Sequence, residues 1–128
     1  MSRGIWGNLV VHNESIADVN RAIESIFPAC TPDPIIIIHD GSTKPLIDFL
    51  ESRKSIYNLK IFYNKFVTVR GQRQCALDHT DVGNFVIALD GDEAYSQAVS
   101  KELRNCLLNQ LSQKHYDTAR EGNVPLVI

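Results

Sequence analysis

Phe85-Val86-Ile87-Ala88-Leu89-Asp90-Gly91-Asp92-Glu93 is the stretch on which the fold turns. Five apolar residues run directly into Asp-Gly-Asp-Glu. A short unbroken apolar run bounded by turn signals is the pattern of a strand covered on both faces, as in a parallel sheet sheathed by helices. Ligands of open α/β sheets bind outside the carboxyl ends of the strands. This end carries three carboxylates within four residues, and like charges so close repel. A hard divalent cation, usually shared with phosphate, offsets that repulsion. The competing explanation is a solvated acidic turn ahead of the next helix.

Upstream, the same pattern repeats. Leu9-Val10-Val11 follows a Gly/Asn-containing lead-in and ends at His12-Asn13-Glu14. Ile16, Val19, Ile23, Ile26 and Phe27 then fall on one helical face. Ser15 with Asp18 three residues on resembles a capping box, and Pro28 with Pro32 and Pro34 is expected to stop the helix. Ile35-Ile36-Ile37-Ile38 is β-branched throughout, a second strand buried on both faces, and it ends at His39-Asp40-Gly41-Ser42-Thr43. Pro45 suits the first turn of a helix carrying Leu46, Ile47, Phe49 and Leu50, which closes at Lys54-Ser55. Leu59 to Tyr63 is a third strand. After a loop from Asn64 to Thr68, a helix from about Val69 to His79 carries Arg70, Arg73, Cys75, Ala76 and Leu77.

Downstream of the acidic end, Ser96 opens a last helix whose apolar face is Val99, Leu103, Cys106, Leu107 and Leu111. Glu121-Gly122-Asn123, between two strand-like pieces, predicts a hairpin in the tail. The order β-α-β-α-β-α-β-α with a β tail predicts an α/β fold with a mostly parallel sheet and helices on both faces.

Composition narrows the function classes. The 128 residues suit a single domain, 44% hydrophobic and 22% charged. A net charge of −2 gives no electrostatic footprint for nucleic acid or an anionic membrane. No apolar run approaches the roughly 20 residues that span a bilayer, so no transmembrane segment is expected. The N-terminal residues lack a signal-peptide stretch, and three scattered cysteines (Cys30, Cys75, Cys106) read as reduced thiols in the core; both point to a cytoplasmic protein. His12, His39, His79 and His115 show no zinc spacing.

The polar residues after each strand converge. Asn13 and Glu14 follow the first; Asp40, Ser42 and Thr43 the second; Asn64 and Lys65 the third; Asp90, Asp92 and Glu93 the fourth. In a parallel sheet these ends share one rim, the usual place for a ligand. The chain has no GxGxxG, no GxxxxGK[ST] and no G-x-S-x-G, which argues against a dinucleotide-binding domain, a P-loop NTPase and an α/β-hydrolase.

Four blocks together, Leu9 to Glu14, Ile36 to Thr43, Arg73 to Leu77 and Ile87 to Glu93, resemble family-2 glycosyltransferases of the GT-A fold. The resemblance covers the chain from about Leu9 to Glu93. It implies a Rossmann-like three-layer sandwich, and a function of binding a nucleotide-diphosphate sugar, a UDP-sugar by preference, and transferring the sugar with inversion to an acceptor. It places Asn13 and Glu14 at the nucleoside, Asp40 at the base with Ser42 beside it, and Arg73 facing the donor. Asp90 approaches the ribose or sugar, and Asp92, with Asp90, holds Mn²⁺ or Mg²⁺. Read from the residues, Glu93 is a carboxylate behind the ligands or at the N-terminus of the next helix, and His12 and His39 are packing or hydrogen-bonding neighbours. Gln74 departs from the family, which usually has Asn after the helix arginine; His39 stands where many members carry a second acid.

The family's catalytic domain runs well beyond the length of this chain, so the resemblance is to the donor-binding half, residues 1–128, ahead of the acceptor-binding half. No residue after Glu93 matches the general base; Asp117 and Glu121 lie too near the last helix. An exposed apolar surface where that half packs is expected to drive self-association into a homo-oligomer. Two rivals share the rim: a non-catalytic nucleotide- or nucleotide-sugar-binding module or assembly piece, and a receiver-like domain. The receiver needs a Lys after a fifth strand, and none is evident.

Overall fold

The computed structural model describes residues 4–65, 68–81, 84–110, 113–122 and 126–127. Five strands form one sheet in the order β3-β2-β1-β4-β5. They are β1 (Ile5–Val11), β2 (Ile35–His39), β3 (Leu59–Tyr63), β4 (Phe85–Asp90) and β5 (Leu126–Val127). Every pairing is parallel. The helices are α1 (Ile16–Cys30), α2 (Lys44–Arg53), α3 (Val69–Asp78), α4 (Gln97–Gln110) and α5 (Gln113–Glu121).

The apolar runs behave as strands with two covered faces. Ile35 and Ile37 join a core with Leu9, Val19, Ile23, Leu50 and Leu103, so α1, α2 and α4 cover that face. Ile36 and Ile38 point the other way and pack with Trp6 and with Cys75 and Ala76 of α3. Successive strand side chains alternate between faces, so an unbroken Ile run can only be satisfied by apolar partners on both. The result is three layers.

β1 begins at Ile5, four residues before the Leu9 expected. Gly7 and Asn8 lie inside the strand and are accommodated there individually. A Cβ on Gly7 would come within 2.9 Å of Ile26 Cδ1 and 3.0 Å of Ile35 Cγ1, so glycine lets α1 pack close. Buried Asn8 accepts a hydrogen bond on Oδ1 from Thr80 Oγ1 at 3.2 Å, which satisfies a polar group in an apolar layer.

α1 opens as the sequence predicts, with Ser15 Oγ accepting from Asp18 N at 3.1 Å. It does not stop at Pro28 but runs to Cys30. Proline removes one donor near the end of the helix, and burial of Ala29 and Cys30 outweighs that loss. Burial raises the Cys30 thiol to about 12, with Asp33 adding to the effect, which makes it an inert core group.

Two C-terminal expectations are corrected. The packed face of α4 is Ser100, Leu103 and Leu107; Val99 and Cys106 are exposed, and Leu111 lies outside the described residues. The tail is no hairpin. Residues 113–121 are helical, Gly122 N donates to Thr118 O at 3.0 Å, and β5 pairs parallel to β4. Gly122 thus follows the end of a helix, where glycine is as common as in a hairpin turn. Asn123 lies outside the described residues, as do Phe66 and Val67 of the predicted loop and Val82 and Gly83 of the predicted turn. Among the described residues no helix is long and apolar enough to cross a membrane.

Candidate functional site

Parallel register brings the strand exits to one edge. Val11 pairs with His39, His39 with Tyr63, and Val10 with Asp90. Each exit is then held to its neighbour by a backbone hydrogen bond. Asp40 N donates to Val11 O at 3.0 Å, Asn64 N to His39 O at 3.1 Å, and Gly91 N to Val10 O at 2.9 Å. These bonds carry the ladder one residue past each strand end and fix where each loop starts.

The β4 exit is the most elaborated. Glu93 Oε1 accepts from Asp90 N at 2.8 Å, and Glu93 N donates to Asp90 O at 3.0 Å. Glu93 therefore closes the turn. Glu14 crosses from β1 to lie over Gly91, where a Cβ would come within 3.0 Å of the Glu14 carboxyl carbon and Oε2. Glu14 Oε2 accepts from His12 N at 2.8 Å. A side chain at 91 would crowd this carboxylate, which would have to give way by a few tenths of an ångström.

Arg73 of α3 donates from Nη2 to Asp90 Oδ1 at 2.5 Å, with both side chains partly exposed. Burial is the largest influence on the Asp90 carboxyl and raises its pKa. Arg73 pulls it down, while Glu93, Asp92 and Glu14 push it further up. The guanidinium thus opposes a local excess of negative charge.

Glu14, Asp90 and Asp92 line a cleft of about 180 Å³ with Val10, His12, Val69 and Gln72. Behind Arg73 lies an apolar cavity of about 110 Å³, lined by Asn8, Val10, Ala76, Leu77 and Ala88. On the β2 side, Asp40 is 9% exposed. Gly41 there adopts φ +73°, and a Cβ on it would meet His12 Cε1 at 3.0 Å. Ser42 Oγ donates to His12 O at 3.0 Å, so Ser42 ties the β2 loop to the β1 loop. His39 is buried against Tyr63, its Nδ1 without a hydrogen-bond partner among the described residues, and burial lowers its pKa.

The rim therefore brings Glu14, Asp90, Asp92 and Arg73 together, with Asp40 and Ser42 two strands along. Asn13 is exposed and does not line the cleft. Arg70 is exposed, and Asp117 and Glu121 lie on α5. Sequence reasoning missed the pairing of Arg73 with Asp90, which spans 17 positions, and it passed over Gln72. The available signal was periodicity, since Gln72, Cys75 and Ala76 form the buried stripe of α3, and a polar residue in such a stripe is out of place.

Among the described residues, no three His, Cys, Asp or Glu side chains converge closely enough to hold a metal ion. The carboxylates are committed elsewhere: Asp90 to Arg73, Glu93 to the turn, Glu14 to the His12 amide. Asp92 is exposed at the rim. These carboxylates form no cage built by protein alone; a divalent ion here would take Asp92 and complete its shell with phosphate and water.

No protein-family model and no curated protein sequence matches the chain. Its fold is similar to the crystal structure of S. aureus TarS, a glycosyltransferase, with a TM-score of 0.61 and 17% identity. The likeness covers 82% of this chain and 19% of that one, so the chain spans about a fifth of that protein's length. The fold is glycosyltransferase-like α/β.

Proposed function

We propose that the rim is the donor site of a glycosyltransferase that binds a nucleoside-diphosphate sugar, a UDP-sugar by preference, and transfers the sugar with inversion. The observation that carries this is the convergence of Glu14, Asp90, Arg73 and Asp92 on the carboxyl edge of a glycosyltransferase-like sheet. Buried Asp40 offers a carboxylate acceptor for the imide N–H of a pyrimidine. Glu14 and Asp90 accept from ribose or sugar hydroxyls. Asp92 would hold Mn²⁺ or Mg²⁺ together with the diphosphate. When bound, that ion neutralises charge growing on the departing diphosphate. Arg73 adds a fixed cation beside the same oxygens, where preorganised charge counts most.

A binding module without turnover shares all these residues. Thermal unfolding with UDP, GDP and dTDP, each with and without Mn²⁺, tests the site. Ligand at about 100 times its Kd adds roughly 2.7 kcal/mol. Asp92→Ala should abolish the Mn²⁺ dependence, and Asp40→Ala should weaken binding with or without metal. No stabilisation by any nucleotide refutes the donor site. Binding without hydrolysis or transfer selects the binding module.

A further inference from the structure

The apolar cavity of about 110 Å³ lies between α3 and the sheet, and Asn8 lines it from the middle of β1. Asn8 is 3% exposed, and its Oδ1 takes the Thr80 hydroxyl at 3.2 Å. Its Nδ2 has no acceptor among the described residues. The fully enclosed side-chain atoms in that state are His39 Nδ1 and Gln72 Nε2. Asn8 Nδ2 is not one of them, so it keeps open surface, and the open space beside Asn8 is this cavity. Buried amide hydrogens rarely go without a partner, and here the room for one is next to the donor.

The walls restrict what that partner is. Val10 and Ala88, on paired strands, form one side, and Ala76 and Leu77 of α3 form the other. The two alanines leave a slot between sheet and helix. Its volume is not far below the roughly 150 Å³ of an apolar cavity that admits benzene. Water is a poor occupant, because an ordered water needs roughly two to four polar partners. The polar groups here are the Asn8 amide and an Arg73 already paired with Asp90. Arg73 disfavours a cation, and Asp90 beside it disfavours an anion. We infer that the cavity is a binding site for a neutral, phenol-type aromatic ring, the ring lying between Ala76 and Ala88 and its oxygen accepting from Asn8 Nδ2. The site is separate from the acidic cleft, since Val10 is the one described residue that lines both. It does not depend on the rim's taking a nucleotide sugar.

The test is NMR titration of the unaltered chain with phenol and, separately, with benzene. Phenol should shift the Asn8 side-chain amide and the methyls of Ala76, Leu77 and Ala88 in a saturable way. It should bind about two- to ten-fold more tightly than benzene, the worth of one neutral hydrogen bond. Asn8→Ala, which leaves Thr80 Oγ1 its bond to Ala76 O at 2.9 Å, should bind the two ligands alike. Ala88→Ile, which fills the slot, should bind neither. Absence of saturable shifts, shifts scattered over the surface, equal affinity of the unaltered chain for both ligands, or phenol binding that survives Ala88→Ile would each overturn the inference. Should the variants not fold, cross-relaxation between phenol ring protons and the Ala76 and Ala88 methyls of the unaltered chain decides: its presence places the ring in the slot, and its absence overturns the site.

Discussion

Replacing Arg73 with Met isolates what the guanidinium contributes to the acidic rim. Arg73 faces Asp90 at 2.5 Å, with side chains 41% and 40% exposed. Two unit charges about 4 Å apart attract by about 4 kcal/mol at an effective dielectric near 20. Desolvation and side-chain ordering oppose most of that, and solvent screening at this exposure brings the net towards the range of exposed pairs, about 1 kcal/mol. In the variant, Asp90 keeps the burial and the three carboxylates that raise its pKa and loses the cation that lowers it. Its folded-state pKa therefore rises further above the unfolded value.

A carboxyl with a raised pKa binds protons more tightly when folded, so its unfavourable contribution grows as pH rises through the folded pKa and fades as pH falls. Arg73→Met should thus lose about 1 kcal/mol at pH 7, a fall of roughly 3–5 °C in Tm. It should approach the parent's stability in acid, once Asp90 is neutral in both proteins. Asp90→Asn should be neutral or stabilising at pH 7, because it removes a charge that the fold disfavours. Urea unfolding of the parent, both single variants and the double variant gives the coupling. Additive single effects, or a loss from Arg73→Met that is the same at pH 7 and in acid, would falsify the counter-ion role.

Three further outcomes follow from the geometry. Gly41→Ala meets both the positive φ and the contact with His12, so it should destabilise by about 1–2 kcal/mol, as read by urea unfolding. An unstrained alanine would be as stable as the parent. His39, whose pKa burial holds below the ordinary histidine value of 6.5, carries stability that is complete above that value and is lost as pH falls from 6.5 towards the folded pKa. His39→Leu should flatten this part of the stability–pH curve; an unchanged slope rules out His39 as its source. In thiol labelling of the folded protein, exposed Cys106 should react fast while buried Cys30 and Cys75 stay protected until denaturant is added; mass spectrometry counts the labels, and early labelling of Cys30 would contradict its packing.

The first four strands and first three helices were legible because their signals are local. Runs such as Ile35–Ile38 can be satisfied only between two apolar layers, and Ser15 or Thr68 caps its helix within three residues. The errors arose where one residue type serves two purposes. Gly7 marks close packing as readily as a turn, Pro28 is tolerated near the end of a helix, and Gly122 follows a helix end as well as it would a hairpin. On α4, Val99 and Cys106 are apolar yet exposed, since the packed stripe is set by where α1 lies against it.

For the site, the sequence alone determined which residues end each strand, and hence that Glu14, Asp40, Asp90 and Asp92 share one edge. Strand polarity and parallel pairing suffice for that. Only the tertiary structure decided what those groups do to one another. That Arg73 pairs with Asp90, that Glu14 lies over Gly91, and that the Gln72 amide nitrogen is buried without an acceptor among the described residues all depend on distances between elements far apart in the chain. The acidic run from Asp90 to Glu93 is thus legible as a cluster of charge from sequence, and as one carboxylate neutralised, one folded back and one at the rim only in three dimensions.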